Sequence, residues 1–338
     1  MDSITINNPL DMHIHLREGE ILESVINYTS SAFCAALAMP NLKEPIINTN
    51  MALEYKNKIL KANKNKSFTP IMSLYLTHKL DKNELLLAKQ NNINILKLYP
   101  KGSTTGSENG VDNILDSKTL EIFEIAQNLG FILSIHGESN GFCIDREFEF
   151  GVVFERIAKY FPKLKIIMEH LSDRRSIDIL EKYDNLFATL TLHHICFDLN
   201  SLLGGNLNPH YFCKPIIKTP KDKEALLNLA LNAHKKVSFG SDSAPHLKSS
   251  KLNNGSAGIF SAPILLSKLC EIFEKHNKLE NLQSFISDNA FKNYALKNLP
   301  NKKVTLIKKD SSAINEVFIE SEYITVLFGG EALKWQIE

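Results

Sequence analysis

Short apolar runs alternate along this chain with longer stretches of helical periodicity. The runs fall at residues 10–16, 32–39, 68–75, 93–99, 131–136, 165–170, 186–190 and 236–240. Between most of them the apolar residues recur at the spacing of an amphipathic helix, as in residues 83–91 and 117–129. Strands alternating with helices predict parallel pairing through right-handed crossovers. Eight such units fit a closed (β/α)8 barrel better than an open sheet. A doubly wound sheet would want a glycine-rich phosphate loop after the first strand. The first run leads instead into His13-Ile14-His15-Leu16-Arg17.

Two connecting segments are long for a compact barrel, and such loops are usually functional or disordered. Residues 100–113 follow the fourth run and are rich in glycine and serine. Residues 200–220 follow the seventh and carry Gly204, Gly205 and several prolines. No internal repeat or linker divides the chain, so residues 1–338 read as one barrel domain. The tail from about residue 302 reads as a short C-terminal extension of strands, ending in Phe328-Gly329-Gly330 and packed on the barrel.

Composition narrows the class. With 338 residues, 43% hydrophobic and 23% charged, the chain can bury a large core and is not globally disordered. A formal net charge of +1 supplies no bulk field for nucleic acid or an anionic membrane. Five cysteines with no CxxC pair make a poor disulfide framework. The first residues lack a basic and then apolar signal pattern, and no stretch has the apolar length of a membrane span. A soluble cytoplasmic protein with reduced thiols is the expectation.

The polar residues within the runs carry the chemistry. Strand side chains alternate faces, so His13, His15 and Arg17 share one face, and Met12, Ile14 and Leu16 share the other. The outer face of a parallel barrel packs on helices and must be apolar, which sends the first set inward. Imidazoles two apart on a strand can converge on one cation. HxH by itself leaves that reading level with a hydrated pair of histidines. The other runs add weight. His136 ends the fifth, His170 ends the sixth, Asp242 follows the eighth, and Lys97 lies inside the fourth. The C-terminal rim of the strands is where such barrels place catalytic groups.

Lys97 is the odd member, because an ammonium beside divalent cations is repelled. Three readings stay open on physical grounds: a strongly depressed pKa, a chemical change to an anionic carbamate, or an ion pair with a nearby carboxylate.

The set HIHLR (13–17), MPN (39–41), KLYP (97–100), HGE (136–138), EH (169–170) and DSAPH (242–246) resembles the dihydroorotases. Within them it is similar to the short bacterial class that acts as a stand-alone enzyme, class II. The order is kept over nearly the whole chain, and DSAPH with KLYP followed by Thr104-Thr105 is the specific part. The resemblance implies a metal-dependent amidohydrolase of the TIM-barrel type. In it His13, His15 and Asp242 hold one zinc, His136 and His170 hold a second, and carboxylated Lys97 bridges the two. It further implies that Arg17, Asn41 and His246 bind the substrate carboxylate and that Ala257 contributes backbone contacts. Thr104 and Thr105 would sit on a mobile covering loop, and the enzyme would be a homodimer. One departure is Lys214, before Pro215, where the resemblance leads one to expect an apolar residue. A backbone contact there would leave binding unchanged, whereas an amine entering the site would alter it.

Dihydroorotases interconvert N-carbamoyl-L-aspartate and L-dihydroorotate in pyrimidine (UMP) biosynthesis. The residues suit that chemistry. Two cations lower the pKa of a shared water and polarise an amide carbonyl. Asp242 can move the proton as general base and acid, and Arg17 offers a planar fork matched to a carboxylate. Hydantoinases and allantoinases would share the metal ligands but lack a dedicated carboxylate pocket. A non-catalytic barrel scaffold would be favoured by a missing ligand, and none is missing.

Overall fold

The computed structural model describes residues 2–338. A first strand, β1 (Ser3–Asn7), precedes the barrel. Eight parallel strands follow in spatial order as in sequence: β2 (Leu10–Ile14), β3 (Ala35–Ala38), β4 (Thr69–Tyr75), β5 (Ile95–Leu98), β6 (Ile132–Ile135), β7 (Lys165–Met168), β8 (Leu186–Leu190) and β9 (Val237–Phe239). The ring closes where Ile14 bridges Ser243 and the Asp242 amide donates to the His13 carbonyl at 2.8 Å. Each of the eight apolar runs contains one of these strands. The helical segments appear as Lys82–Gln90 and Ser117–Leu129.

Strand parity sorts the core. Leu96, Leu98, Leu133, Ile135, Ile166 and Met168 face outward onto the helices. Leu37, Ile95, Ile132 and Ile167 fill the lower barrel interior. Two residues beyond Ile95, Ile132 and Ile167 the interior turns polar, at Lys97, Ser134 and Glu169, all buried. The apolar plug therefore supports a polar floor at the C-terminal end, where chemistry can be placed.

One parity expectation fails. Met12 does not share the outer face with Ile14 and Leu16; it joins the interior plug beside Leu10 and Leu37. The cause is a register shift in β2 between Asp11 and Ile14. The Asp11 carboxylate fixes the irregularity, accepting from the Ser241 amide at 2.8 Å, the Ser241 hydroxyl at 2.6 Å and the His13 amide at 3.2 Å. Such a bulge re-aims the side chains beyond it, and here those are His13 and His15.

The C-terminal extension does more than pack on the barrel. Its long strand β10 (Lys303–Ser312) pairs antiparallel with β1 on one side and with β13 (Ala332–Ile337) on the other. β11 (Glu316–Ile319) and β12 (Glu322–Thr325) form a hairpin. Val326 then bridges Phe260, and Ile259 bridges Ser243. The extension thus braces the segment that carries Ala257 across the barrel mouth. The segment 200–220 is not wholly irregular, since it includes the end of the short helix Leu199–Leu203 and a 3-10 turn at Pro209–Tyr211.

Candidate active site

Except for Lys97 and His246, all the candidate site residues line a single cavity at the C-terminal mouth. His246 meets its wall through Arg17, and Lys97 lies under Tyr99, with Nζ 4.9 Å from the ring centre.

The imidazoles form a chain. Ring centres lie 5.3 Å apart for His15 and His13, 5.1 Å for His13 and His170, and 4.8 Å for His170 and His136. At one end, Nε2 of His15 and Nε2 of His13 approach the same Asp242 oxygen, at 3.0 and 3.4 Å. At the other, His136 Nδ1 faces His170 Nε2 at 3.1 Å. His170 and Asp242 both adopt left-handed backbone, with φ of 42° and 45°. Non-glycine residues held there cost energy and tend to mark working sites.

Supporting carboxylates orient the rings. Glu169 Oε2 lies 2.8 Å from His13 Nδ1, and Glu138 Oε2 lies 2.7 Å from His136 Nε2. Glu169 also accepts from the hydroxyls of Ser134 and Thr189. A carboxylate behind a histidine is how metal sites fix the ligand tautomer. The roles of Glu169 and Glu138 are not readable from the motifs that contain them.

Burial works against charge on several of these imidazoles, while Asp242 is drawn towards its ionised form. Burial lowers His136, lowers His170 well below the usual range, and takes His15 down to about 4. Burial opposes ionisation of Asp242, but the fields of His13, His15 and His170 outweigh it and hold the carboxyl well below its ordinary value. Lys97 is fully buried, its amine has no hydrogen-bond partner, and burial takes it down to about 8. No carboxylate among the described residues pairs with it. A buried cation without a partner is costly.

Beside this cluster is a cationic corner. Arg17 donates from Nε to the Pro245 carbonyl at 3.2 Å and lies 3.0 Å from His246 Nε2. His246 Nε2 also lies 2.9 Å from the Ala257 carbonyl. Burial and the neighbouring Arg17 take His246 down to about 2, so it is neutral. Gly258 lets the chain pass here; a Cβ would fall 2.8 Å from the Ala244 Cβ. Lys251, buried, donates to the Phe212 and Gly258 carbonyls at 2.8 Å each and ties the two rim loops together. Lys214 borders the same cavity.

Residues 100–113 fold over the mouth. Asn41 donates to the Thr105 carbonyl at 3.1 Å, and the Thr105 hydroxyl reaches the Ala257 carbonyl at 3.5 Å. Gly106, at φ 74°, passes so close to Asn41 that a Cβ would sit 3.3 Å from its carbonyl oxygen. A second group of close donors, His193, His194 and Cys213, lies nearby. Both nitrogens of His194 are engaged, by Thr191 and the Pro215 carbonyl, and the Cys213 thiol donates to that carbonyl. His194 and Cys213 therefore read as structural, whereas neither ring nitrogen of buried His193 has a hydrogen-bond partner.

No family model matches the chain. Individual relatives do. A dihydroorotase from Helicobacter hepaticus is 57% identical over 337 residues, covering 99% of this chain and 98% of its own. The solved dihydroorotase of Campylobacter jejuni superposes with a TM-score of 0.95 at 42% identity, covering 100% of this chain and 98% of its own. The Saccharomyces cerevisiae dihydroorotase in complex with 5-fluoroorotic acid gives 0.94 at 31%, covering 100% and 99%. An L-hydantoinase from Arthrobacter aurescens shares the barrel at 0.78 and 13%, a likeness of fold alone. With that identity over its whole length, and the (β/α)8 amidohydrolase barrel to match, the chain belongs to the dihydroorotase family.

Proposed function

We propose that this dihydroorotase works through two divalent cations, zinc in our reading, held by His13, His15 and Asp242 on one side and by His136 and His170 on the other. Carboxylated Lys97 lies between them. The observation that carries the reading is the meeting of four imidazoles, one aspartate and one unpartnered buried amine at a single barrel mouth. The donor set fits: nitrogen and carboxylate ligands with carboxylates behind them suit zinc. When bound, the cations would polarise the amide carbonyl and bring the pKa of water near neutrality.

Lys97 fits the bridging part. An amine near 8 is partly neutral at neutral pH. The neutral amine attacks carbon dioxide, a C–N bond forms, one proton leaves, and an anionic carbamate replaces a cation. The carbamate removes the unpaired charge and supplies two oxygens.

The other residues divide the substrate between them. Arg17 directs its fork at the carboxylate that remains on dihydroorotate, with Asn41, His246 and the backbone at Ala257 completing the corner. Lys214 adds a further cation at that rim. Asp242, drawn towards its ionised form at the cavity wall, accepts a proton from the attacking water and delivers it to the amide nitrogen as the ring opens. In the biosynthetic direction it takes a proton from the ureido nitrogen, and water leaves as the ring closes. Thr104 and Thr105 cover the substrate and exclude bulk water.

A cytoplasmic location is supported by the free thiols and by the absence, among the described residues, of any helix long and apolar enough to cross a membrane. A homodimer accords with exposed Phe148 and Val152, one turn apart on the helix Arg146–Tyr160. Sedimentation would test it, and a monomer at micromolar concentration would reject it. The site reading is tested by ring opening of dihydroorotate with metal-analysed protein, set against hydantoin. Rapid turnover of dihydroorotate with negligible turnover of hydantoin is expected; equal rates would remove the carboxylate corner from the account.

A further inference from the structure

Tyr99 stands apart from the residues accounted for so far. It follows β5 and shares the inward parity of Ile95 and Lys97. Its side chain is 1% exposed and lines the cavity, and its hydroxyl has no hydrogen-bond partner. Its placement is firm. The ring packs 5.0 Å from that of Tyr75, and its backbone carbonyl accepts from the Val111 amide at 2.9 Å, at the base of the covering loop. The unpaired hydroxyl is therefore not the by-product of a loose side chain. A buried hydroxyl left unpaired costs about 1–3 kcal/mol, and a phenol facing a cavity recovers that cost when a ligand brings an acceptor.

The position of the ring says which acceptor. Tyr99 lies 4.9 Å from the Lys97 amine and 6.2 Å, ring to ring, from His136. It belongs to the wall beside the reacting groups. Arg17, held by the Pro245 carbonyl and His246, supplies donors for the carboxylate in the site reading above. Of the substrate's acceptor oxygens, that of the ring carbonyl attacked by water is the one that must lie beside the reacting groups. We propose that the Tyr99 hydroxyl donates a hydrogen bond to that carbonyl oxygen and holds it as negative charge develops. This rests on the site reading above, in which the amide carbonyl faces the histidine cluster.

No bond is made or broken at Tyr99, and its proton stays on the phenol throughout. A donor aimed at developing charge acts more on kcat than on KM. The variant Tyr99→Phe keeps the ring and its packing, so the fold and the Tyr75 contact are retained. We expect kcat to fall by about 100-fold in both directions, with KM little changed and metal content equal to that of the wild type. A second readout needs no turnover. Calorimetric binding of 5-fluoroorotic acid, the ligand of the yeast relative, should weaken by about 2- to 10-fold. Unchanged kcat and unchanged 5-fluoroorotic acid affinity would overturn the proposal. So would a loss of activity matched by an equal loss of metal or of the Lys97 carboxyl group, which would place the phenol on the Lys97 side chain instead. Failure of the wild-type protein to open dihydroorotate would instead defeat the underlying site reading, and the two failures are thereby separated.

Discussion

Glu169 and His13 are 156 positions apart in the chain, yet Glu169 Oε2 lies 2.8 Å from His13 Nδ1. The contact turns the other ring nitrogen of His13 towards Asp242. Burial alone would keep Glu169 protonated, but His13, Lys97 and the bond from Ser134 outweigh it and lower its pKa. In the proposed metal site, the Glu169 charge would therefore set which nitrogen of His13 is free to ligate. Glu169→Gln keeps the size and loses the charge. Metal affinity, read by competition with a chromogenic chelator, should fall by about 10- to 100-fold. Wild-type affinity in that variant would show that the contact only packs the barrel.

Lys97→Ala and Lys97→Arg should both lose most activity. The first lacks an amine, and the second has a guanidinium that cannot form the carbamate and brings a fixed charge to the cation site. Metal content per chain should drop in each. An arginine variant with normal metal content and normal turnover would contradict the bridging role.

Arg17→Met should impair dihydroorotate selectively. Losing a bidentate charged contact from a dry site costs on the order of 2–5 kcal/mol, hence at least tens-fold in kcat/KM. Slow substrates without a carboxylate should be spared. An equal loss on both kinds of substrate would mean that Arg17 supports the wall through Pro245 and His246 without selecting anything.

Replacing Thr104 and Thr105 together by valine should cut turnover strongly while metal content stays normal. Thr105 touches Asn41 and Ala257 from above, so the pair lies between the carboxylate corner and solvent. Near-normal kcat and KM in both directions would make the loop ornamental.

The sequence made the barrel legible because a strand buried on both faces must be written almost wholly in apolar letters, with polar letters only where the interior turns to chemistry. The proposed ligand positions stand out for that reason. Three features were hidden, each for a physical cause. β1 pairs with β10 at the far end of the chain, and its residues are mostly exposed, so no apolar run announces it. The register shift that sends Met12 inward depends on Asp11 meeting Ser241, a contact across 230 positions. The left-handed backbone at His170 and Asp242 is imposed by the surrounding structure and has no glycine to signal it. Tyr99 could have been found by parity alone, two residues beyond Lys97, but an aromatic inside an apolar run looks like core until its hydroxyl is seen without a partner.

Crystallography with elemental analysis on one active preparation, purified without chelator, reads the proposed cation pair and the Lys97 bridge together. Two divalent cations per chain, anomalous peaks between His15 and Asp242 and between His136 and His170, and density continuing past the Lys97 amine as a carboxyl group are expected. Full activity with no bound metal, or an unmodified amine in an active, metal-loaded crystal, would contradict the bridged pair.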